Sequence, residues 1–100
     1  MKTTTRPTNN FDVTTFQELN FKGHPIGMGK QCVVKFSNGY GASIVQGPHT
    51  YGGPNGLYEL AVFGKNGEIT YDTPITNDVL GYLSELEVEK TLMDIKNLDK

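Results

Sequence analysis

Apolar and polar residues alternate in two stretches of this chain, and an Asn-Gly pair follows each of them. Residues 31–36 precede Asn38-Gly39, and residues 57–63 precede Asn66-Gly67. Alternation with a period of two is typical of half-buried β-strands. Because both central residues of a type I′ turn need positive φ, Asn-Gly between two such runs favours a two-residue hairpin turn. The pattern therefore predicts two consecutive hairpins.

A two-residue turn fixes which residues face each other in the first hairpin. It would place Val34 opposite Ser43 and Cys32 opposite Val45. Because side chains alternate between the two faces of a sheet, this register also decides which of them are buried. The side chains expected on the core face of this hairpin are those of Cys32, Val34, Phe36 and Val45.

The second Asn-Gly pair predicts a return strand over residues 68–72. A two-residue turn there would set Lys65 against Glu68, which is a favourable charge pair, and Val62 against Tyr71. Both hairpins then sort their large apolar side chains in the same way, which supports the assignment. The side chains expected on the core face of the second hairpin are those of Tyr58, Leu60, Val62, Ile69 and Tyr71.

Two helix-start signals follow the hairpins. Thr76 is suited to cap a short helical turn over residues 77–83. Ser84 and Glu87 stand at the spacing of a capping box, which predicts a helix that runs to about Asn97. The apolar residues at helical spacing on one side of this second helix are Val88, Leu92, Ile95 and Leu98.

The first ten residues differ in character from the remainder of the chain. Residues 1–10 are Thr-rich and polar without apolar periodicity, so we expect a disordered tail. Leu19 and Phe21 alternate with polar neighbours, which predicts a short strand that ends near Gly23. Residues 11–100 are then expected to form a single α+β domain.

The fold class expected from these elements is α+β. The two consecutive hairpins would build a four- or five-stranded antiparallel sheet, and the C-terminal helix would pack on one face of it. One hundred residues suffice for one domain with a modest core.

Composition narrows the classes of partner. The formal net charge is −2, and the nine basic residues are scattered, so electrostatics disfavour nucleic acid as a partner. No apolar run approaches the ~20 residues of a membrane span, which predicts no membrane partner and a cytoplasmic location. Cys32 is the only cysteine and lies in an alternating apolar run, which predicts a buried structural thiol.

Residues suited to catalysis or metal binding are few. His24 and His49 lie in Gly/Pro segments and have no partner at metal-ligand spacing. Asp72 and Asp78, together with a histidine, are the basis of a hydrolase hypothesis. Both aspartates are better explained as turn and helix-start residues. We therefore expect no enzyme, no metal and no cofactor.

The loop at residues 47–56 and the exposed tyrosines favour a binding role instead. This loop is rich in glycine, but it has neither the P-loop spacing nor a basic residue, and a strand rather than a helix follows it. Loops on rigid strands often carry function, and tyrosine is enriched at protein interfaces. The binding residues expected from the sequence are Tyr40, His49, Tyr51 and Asn55.

Three segments of the chain resemble small bacteriophage-encoded proteins that have no known activity. They are residues 36–45 (FSNGYGASIV), 56–62 (GLYELAV) and 69–76 (ITYDTPIT), within a resemblance that spans roughly residues 16–95. The resemblance implies a phage product that acts in the cytoplasm of a bacterial host, and it assigns no site residue.

Two functional hypotheses from different classes follow. The first is a non-enzymatic binding protein, a phage accessory protein that binds or inhibits a host protein, with a homodimer left open. Its surface would be the loop at residues 47–56, the turn at Tyr40, or an exposed sheet edge. The alternative is a protein that binds or sequesters a small ligand or nucleotide with the loop at residues 47–56.

Overall fold

Six strands and one α-helix lie within the residues that the computed structural model describes, which are 10–23, 29–70, 73, 75 and 79–98. The strands are β1 (Asn10–Phe11), β2 (Lys22–Gly23), β3 (Lys30–Lys35), β4 (Gly41–Gln46), β5 (Tyr58–Phe63) and β6 (Leu80–Leu83), and the helix is α1 (Glu85–Lys96). Two 3₁₀ turns cover Phe16–Glu18 and Gly53–Asn55.

The strands form one sheet in the order β1-β3-β4-β5-β6, and β2 pairs with β3 beside β1. Five of these strands, β2 to β6, pair antiparallel. The short strand β1 adds a parallel pair with β3. The expected α+β fold with an antiparallel sheet and a C-terminal helix is therefore confirmed, and β1 extends it.

Helix α1 packs on one face of the sheet and closes the core. Its capping box is complete: the Ser84 hydroxyl accepts the Glu87 N–H at 3.1 Å, and the Glu87 carboxylate accepts the Ser84 N–H at 2.8 Å. This helix and its apolar stripe are as the sequence predicts. The buried core consists of Leu19, Cys32, Val34, Phe36, Ala42, Ile44, Tyr58, Leu60, Val62, Val88, Leu92 and Ile95.

Both Asn-Gly turns have three residues rather than the expected two. In the first, the Phe36 N–H donates to the Tyr40 carbonyl at 2.9 Å. In the second, the Gly64 N–H donates to the Glu68 carbonyl at 2.8 Å. Gly39 and Gly67 have φ of 96° and 83°, so each supplies the left-handed residue that ends a three-residue loop. The prediction of two-residue turns was wrong in both hairpins.

The longer turns shift each register by one residue and reverse the faces of the return strands. Ile44 lies opposite Cys32 and is buried, whereas Val45 pairs with Gln31 on the other face. Ile69 pairs with Phe63 and is 46% exposed. The expected core positions of Val45 and Ile69 were therefore wrong, as was the pairing of Lys65 with Glu68. Tyr71 lies outside the described residues.

The segment before α1 is an extended strand and not a helical turn. Leu80 and Leu83 of β6 pair with Leu60 and Tyr58 of β5. The helical turn predicted over residues 77–83 is therefore wrong for residues 80–83, because pairing with β5 outweighs a short helix that Gly81 weakens. Residues 76–78 lie outside the described part of the chain.

Residues 10–23 hold two short strands and one 3₁₀ turn. A 3₁₀ turn at Phe16–Glu18 leads to Leu19, which is buried, and the predicted strand is reduced to Lys22–Gly23. The expected tail falls on residues 1–9, outside the described residues, and Asn10 already belongs to β1. No helix within the described residues is long and apolar enough to cross a membrane.

Candidate functional site

The loop between β4 and β5 is held by its own hydrogen bonds. The Thr50 hydroxyl accepts the Gly47 N–H at 3.0 Å, and Gly53 packs directly on the Gly47 carbonyl. Seven backbone N–H groups of the loop donate within the protein, those of residues 47, 50, 51, 53, 55, 56 and 57. The loop is therefore a compact, ordered platform rather than a flexible linker.

A β-bulge lies beside this loop on the edge strand β6. Leu80 pairs with Leu60 and Leu83 pairs with Tyr58, so Glu59 alone faces two residues, Gly81 and Tyr82. Tyr82 adopts a left-handed backbone with φ of 58°. This conformation is uncommon for a bulky residue and costs of order 1–3 kcal/mol, so the surrounding contacts must hold it in place.

Those contacts come from a reciprocal arrangement of two Tyr-Gly pairs. The Tyr51 side chain lies on Gly81, where an added Cβ would come within 2.5 Å of the Tyr51 Cβ. The Tyr82 ring lies against Gly52, where an added Cβ would approach Tyr82 Cδ1 to 3.1 Å. The Tyr82 N–H also donates to the Tyr51 carbonyl at 3.1 Å. Each glycine therefore makes room for the tyrosine of the other pair.

Glu59 connects the loop to strand β5. Its carboxylate accepts the Tyr51 N–H at 3.0 Å, and Glu59 is itself the residue opposite the bulge. The loop, the bulge and the beginning of β5 thus meet at Glu59. A charge-assisted hydrogen bond of this kind is stronger than one between neutral groups.

The two tyrosines remain exposed in spite of these contacts. Tyr51 is 59% exposed and Tyr82 is 61% exposed. We call this pair the tyrosine patch. Apart from its two phenols the patch contains no titratable side chain, and no lysine or arginine lies in the loop at residues 47–56. It offers aromatic area with hydroxyl groups, which is the chemistry of a binding surface.

The four residues expected from the sequence divide between opposite ends of the sheet. His49, Tyr51 and Asn55 belong to the loop and are exposed. Tyr40 follows the first hairpin turn, and the whole of β4 separates it from the loop. Tyr40 is half-buried, and the Lys65 amine lies 5.5 Å from its ring centre. The structure does not bring Tyr40 together with the other three.

Tyr82 is the residue that sequence reasoning missed as part of a site. The helical turn predicted over residues 77–83 gave it no defined role. Gly81, which weakens a helix, was the signal against that assignment, because a glycine inside a strand often marks a bulge.

Catalytic and metal-binding chemistry has little basis in the described residues. No three side chains of His, Cys, Asp or Glu there lie close enough together to hold a metal ion. His24, Asp72 and Asp78 lie outside that part of the chain. Cys32 is buried as expected, and burial raises the pKa of its thiol to about 11, which disfavours a nucleophilic thiolate. The internally bonded N–H groups of the loop also disfavour a phosphate cradle there.

Comparison with known proteins gives no relative for this chain. No family model matches its sequence, no curated protein matches it, and no solved structure matches its fold.

Proposed function

We propose that this chain is a small non-enzymatic binding protein that binds or inhibits a protein of a bacterial host through the tyrosine patch. The observation that carries the proposal is the convergence of Tyr51 and Tyr82. One comes from a loop and the other from a strained bulge on an edge strand, yet a backbone hydrogen bond joins the two residues and both side chains are exposed to solvent. The phage origin and the cytoplasmic location belong to the same proposal and rest on the sequence.

The composition of the patch supports a protein partner over a nucleic acid. Tyrosine supplies a large contact area with little side-chain entropy to lose, and Gly, Ser, Thr and Asn around it supply adaptable polar contacts. A binder of single-stranded nucleic acid combines such rings with a positively charged groove. Residues 47–59 contain no lysine or arginine and end in Glu59.

The order of the loop supports binding without a large entropic cost. Its backbone is already fixed by internal bonds, and the backbone of Tyr82 is fixed by the bulge. A partner would therefore meet a surface that needs little rearrangement, and this preserves affinity.

The bulge also has a purely structural interpretation. A bulge twists an edge strand away and so protects the sheet from pairing with other chains. That interpretation explains the backbone of Gly81-Tyr82 but requires no tyrosine at either position 51 or 82. It also disfavours strand addition at this part of β6, which leaves the side chains as the means of recognition.

Affinity capture from a bacterial lysate tests the proposal. The immobilised chain should retain a defined host protein, and Tyr51→Ser and Tyr82→Asn should each release it. Asparagine tolerates the left-handed backbone, so Tyr82→Asn removes the ring while the bulge is kept. Leu86→Gln is the matched control, because Leu86 is 73% exposed on α1 and belongs to neither the loop nor the bulge.

Each outcome of the capture decides the proposal. Retention by the wild type and by Leu86→Gln, with loss in both tyrosine variants, supports it. Failure of the wild type to retain any protein overturns the binding function. Retention that is equal in all four proteins overturns the assignment to the tyrosine patch and leaves edge protection as the role of the bulge. Circular dichroism confirms that each variant is folded.

A further inference from the structure

A groove lies on the outer face of the sheet, at the end opposite the tyrosine patch. It has a volume of about 200 Å³ and is bounded by Phe11, Lys35, Tyr40, Phe63 and Lys65. Phe36, Gly41 of β4 and the glycines at positions 39, 64 and 67 complete its lining. The residues that line this groove include neither tyrosine of the tyrosine patch.

The register of the sheet explains why the groove exists. Phe11 pairs with Lys35, Lys35 with Gly41, and Gly41 with Phe63, so these four residues form one row across four strands. Their neighbours Val34, Ala42 and Val62 are buried in the core, so the row faces outward. Gly41 is the only member of the row without a side chain, and this leaves a gap.

The gap has the width of an aromatic ring. Neighbouring strands lie about 4.8 Å apart, so the Cα atoms of Lys35 and Phe63, on either side of Gly41, are roughly 10 Å apart. A flat ring in van der Waals contact with both walls needs about 7–8 Å. Gly41 is fixed by the fold, because an added Cβ would approach the Val34 carbonyl to 2.7 Å.

The charges that line the groove have one sign. Lys35 and Lys65 are both exposed, and no acidic residue is among those that line it. The nearby Asp12 carboxylate is engaged elsewhere and accepts the Ser37 N–H at 2.9 Å. In a chain with a net charge of −2, an aromatic groove with two lysines is complementary to an anion that carries a ring.

We infer that this groove binds a small aromatic anion, that is, a flat ring bearing one phosphate or carboxylate group. The ring inserts over Gly41 between the Phe63 ring and the aliphatic part of Lys35. The anionic group lies at the ammonium groups of Lys35 and Lys65. The site is distinct from the tyrosine patch, so the test of one proposal does not decide the other.

Titration with phenyl phosphate, followed by the amide resonances of the ¹⁵N-labelled chain, tests this inference. Phenol supplies the ring alone and inorganic phosphate supplies the charge alone. Phenyl phosphate should saturate with a dissociation constant in the low millimolar range or below, and at least tenfold below that of either control. The amides of Gly39, Gly41 and Gly67 should shift, and those of Gly52 and Gly56 at the opposite end should not.

Two lysine variants and a control complete the experiment. Lys35→Gln and Lys65→Gln should each weaken phenyl phosphate binding by about threefold or more, and higher salt should weaken it further. Lys90→Gln, on the exposed side of α1, should leave it unchanged. If the groove glycines show no saturable shift at 10 mM, the inference is overturned, and it is also overturned if phosphate alone binds as well as phenyl phosphate. Shifts confined to the loop glycines would show that the ligand binds to the loop at residues 47–56, and this result would also overturn the inference.

Discussion

The side-chain amide of Asn38 donates to the main-chain carbonyl of Ile95, 57 residues further along the chain, at 2.9 Å. The same amide lies 3.1 Å from the carbonyls of Lys96 and Leu98, so its two N–H groups are shared among three acceptors. These carbonyls lie in the last turn of α1 and just beyond it, where the regular i→i+4 pattern of the helix ends, and that of Ile95 also accepts the Leu98 N–H at 3.1 Å. The tip of the first hairpin is thereby fastened to the C-terminus of the helix.

Replacing Asn38 should destabilise the protein more than the same replacement at Asn66 in the second Asn-Gly turn. Asn38→Asp removes the donor and places a carboxylate against three carbonyls at the negative end of α1, which should cost about 2–4 kcal/mol of unfolding free energy. Asn66→Asp is the matched control, because Asn66 is exposed and its side-chain oxygen accepts the Glu68 N–H at 3.0 Å, a bond that a carboxylate can also accept. It should change stability by no more than about 0.5 kcal/mol.

Urea denaturation at pH 7 measures both variants. Equal losses in the two proteins would mean that the contact with α1 contributes nothing beyond the turn itself. The Asn38 oxygen accepts the Tyr40 N–H at 3.0 Å, as Asn66 does for Glu68, so the turn geometry cancels in the comparison.

A methyl group at Gly81 should disturb the tyrosine patch from its inner side. In Gly81→Ala the new Cβ meets the Tyr51 Cβ, which is anchored close to the backbone and has little room to move. We expect a loss of about 1–3 kcal/mol and weaker capture of the partner. In Gly23→Ala nothing lies within 4 Å of the new Cβ, so stability should be unchanged or slightly raised. Thermal unfolding and capture, measured together, check both variants.

The sequence was sufficient for strands β3, β4 and β5 and for helix α1, but not for β1, for β6 or for the sheet register. Asn-Gly is compatible with a two-residue turn and with a three-residue loop that ends in a left-handed glycine. Because the observed loop is one residue longer, Ile44 lies on the core face, where the shorter turn would place Val45. One signal was present in the sequence: the three-residue loop sets Cys32 and Val34 against Ile44 and Ala42, whereas the shorter one sets Val34 against polar Ser43.

The candidate site was only half visible in the sequence for a related reason. Tyr51 was found because it lies in a loop of turn-forming residues, but its partner Tyr82 is 31 positions away. Its place is decided by a bulge opposite Glu59, and a bulge depends on pairing across strands rather than on local propensity. Asn38 was likewise assigned only to a turn, because its contact with α1 is tertiary.

The capping box of α1 should make part of the stability depend on pH in the acid range. Hydrogen bonds from the Ser84 backbone N–H, and then from its hydroxyl, hold the pKa of the Glu87 carboxyl below its usual value. This contribution is present above the unfolded-state pKa and is lost as the pH falls through the lower, folded-state value. Glu87→Gln keeps an acceptor without the charge.

The urea midpoint of the wild type should therefore fall more between pH 6 and pH 3 than that of Glu87→Gln. Ser84→Ala should cost about 0.5–2 kcal/mol at pH 7, because it removes the hydroxyl that accepts the Glu87 N–H while the backbone N–H of residue 84 remains. Parallel pH profiles for the wild type and Glu87→Gln would contradict the role of the carboxylate in the cap.

The buried thiol of Cys32 should make the unfolding free energy fall as the pH rises in the alkaline range. Burial raises the pKa of this thiol from 9.0 to about 11, and a backbone hydrogen bond from Asn20 lowers it by less. The unfolded chain then loses its proton first, so the native state becomes less stable as the pH rises from about 9 to about 11, by roughly 2–3 kcal/mol in total.

Tyrosines and lysines also titrate in this range, so the wild type must be compared with Cys32→Ala. The alanine variant should be less stable at pH 8 because it leaves a small cavity, but its unfolding free energy should decline less steeply from pH 9 to pH 11. Curves that stay parallel over this range would show that the thiol ionises as readily in the folded chain as in the unfolded one.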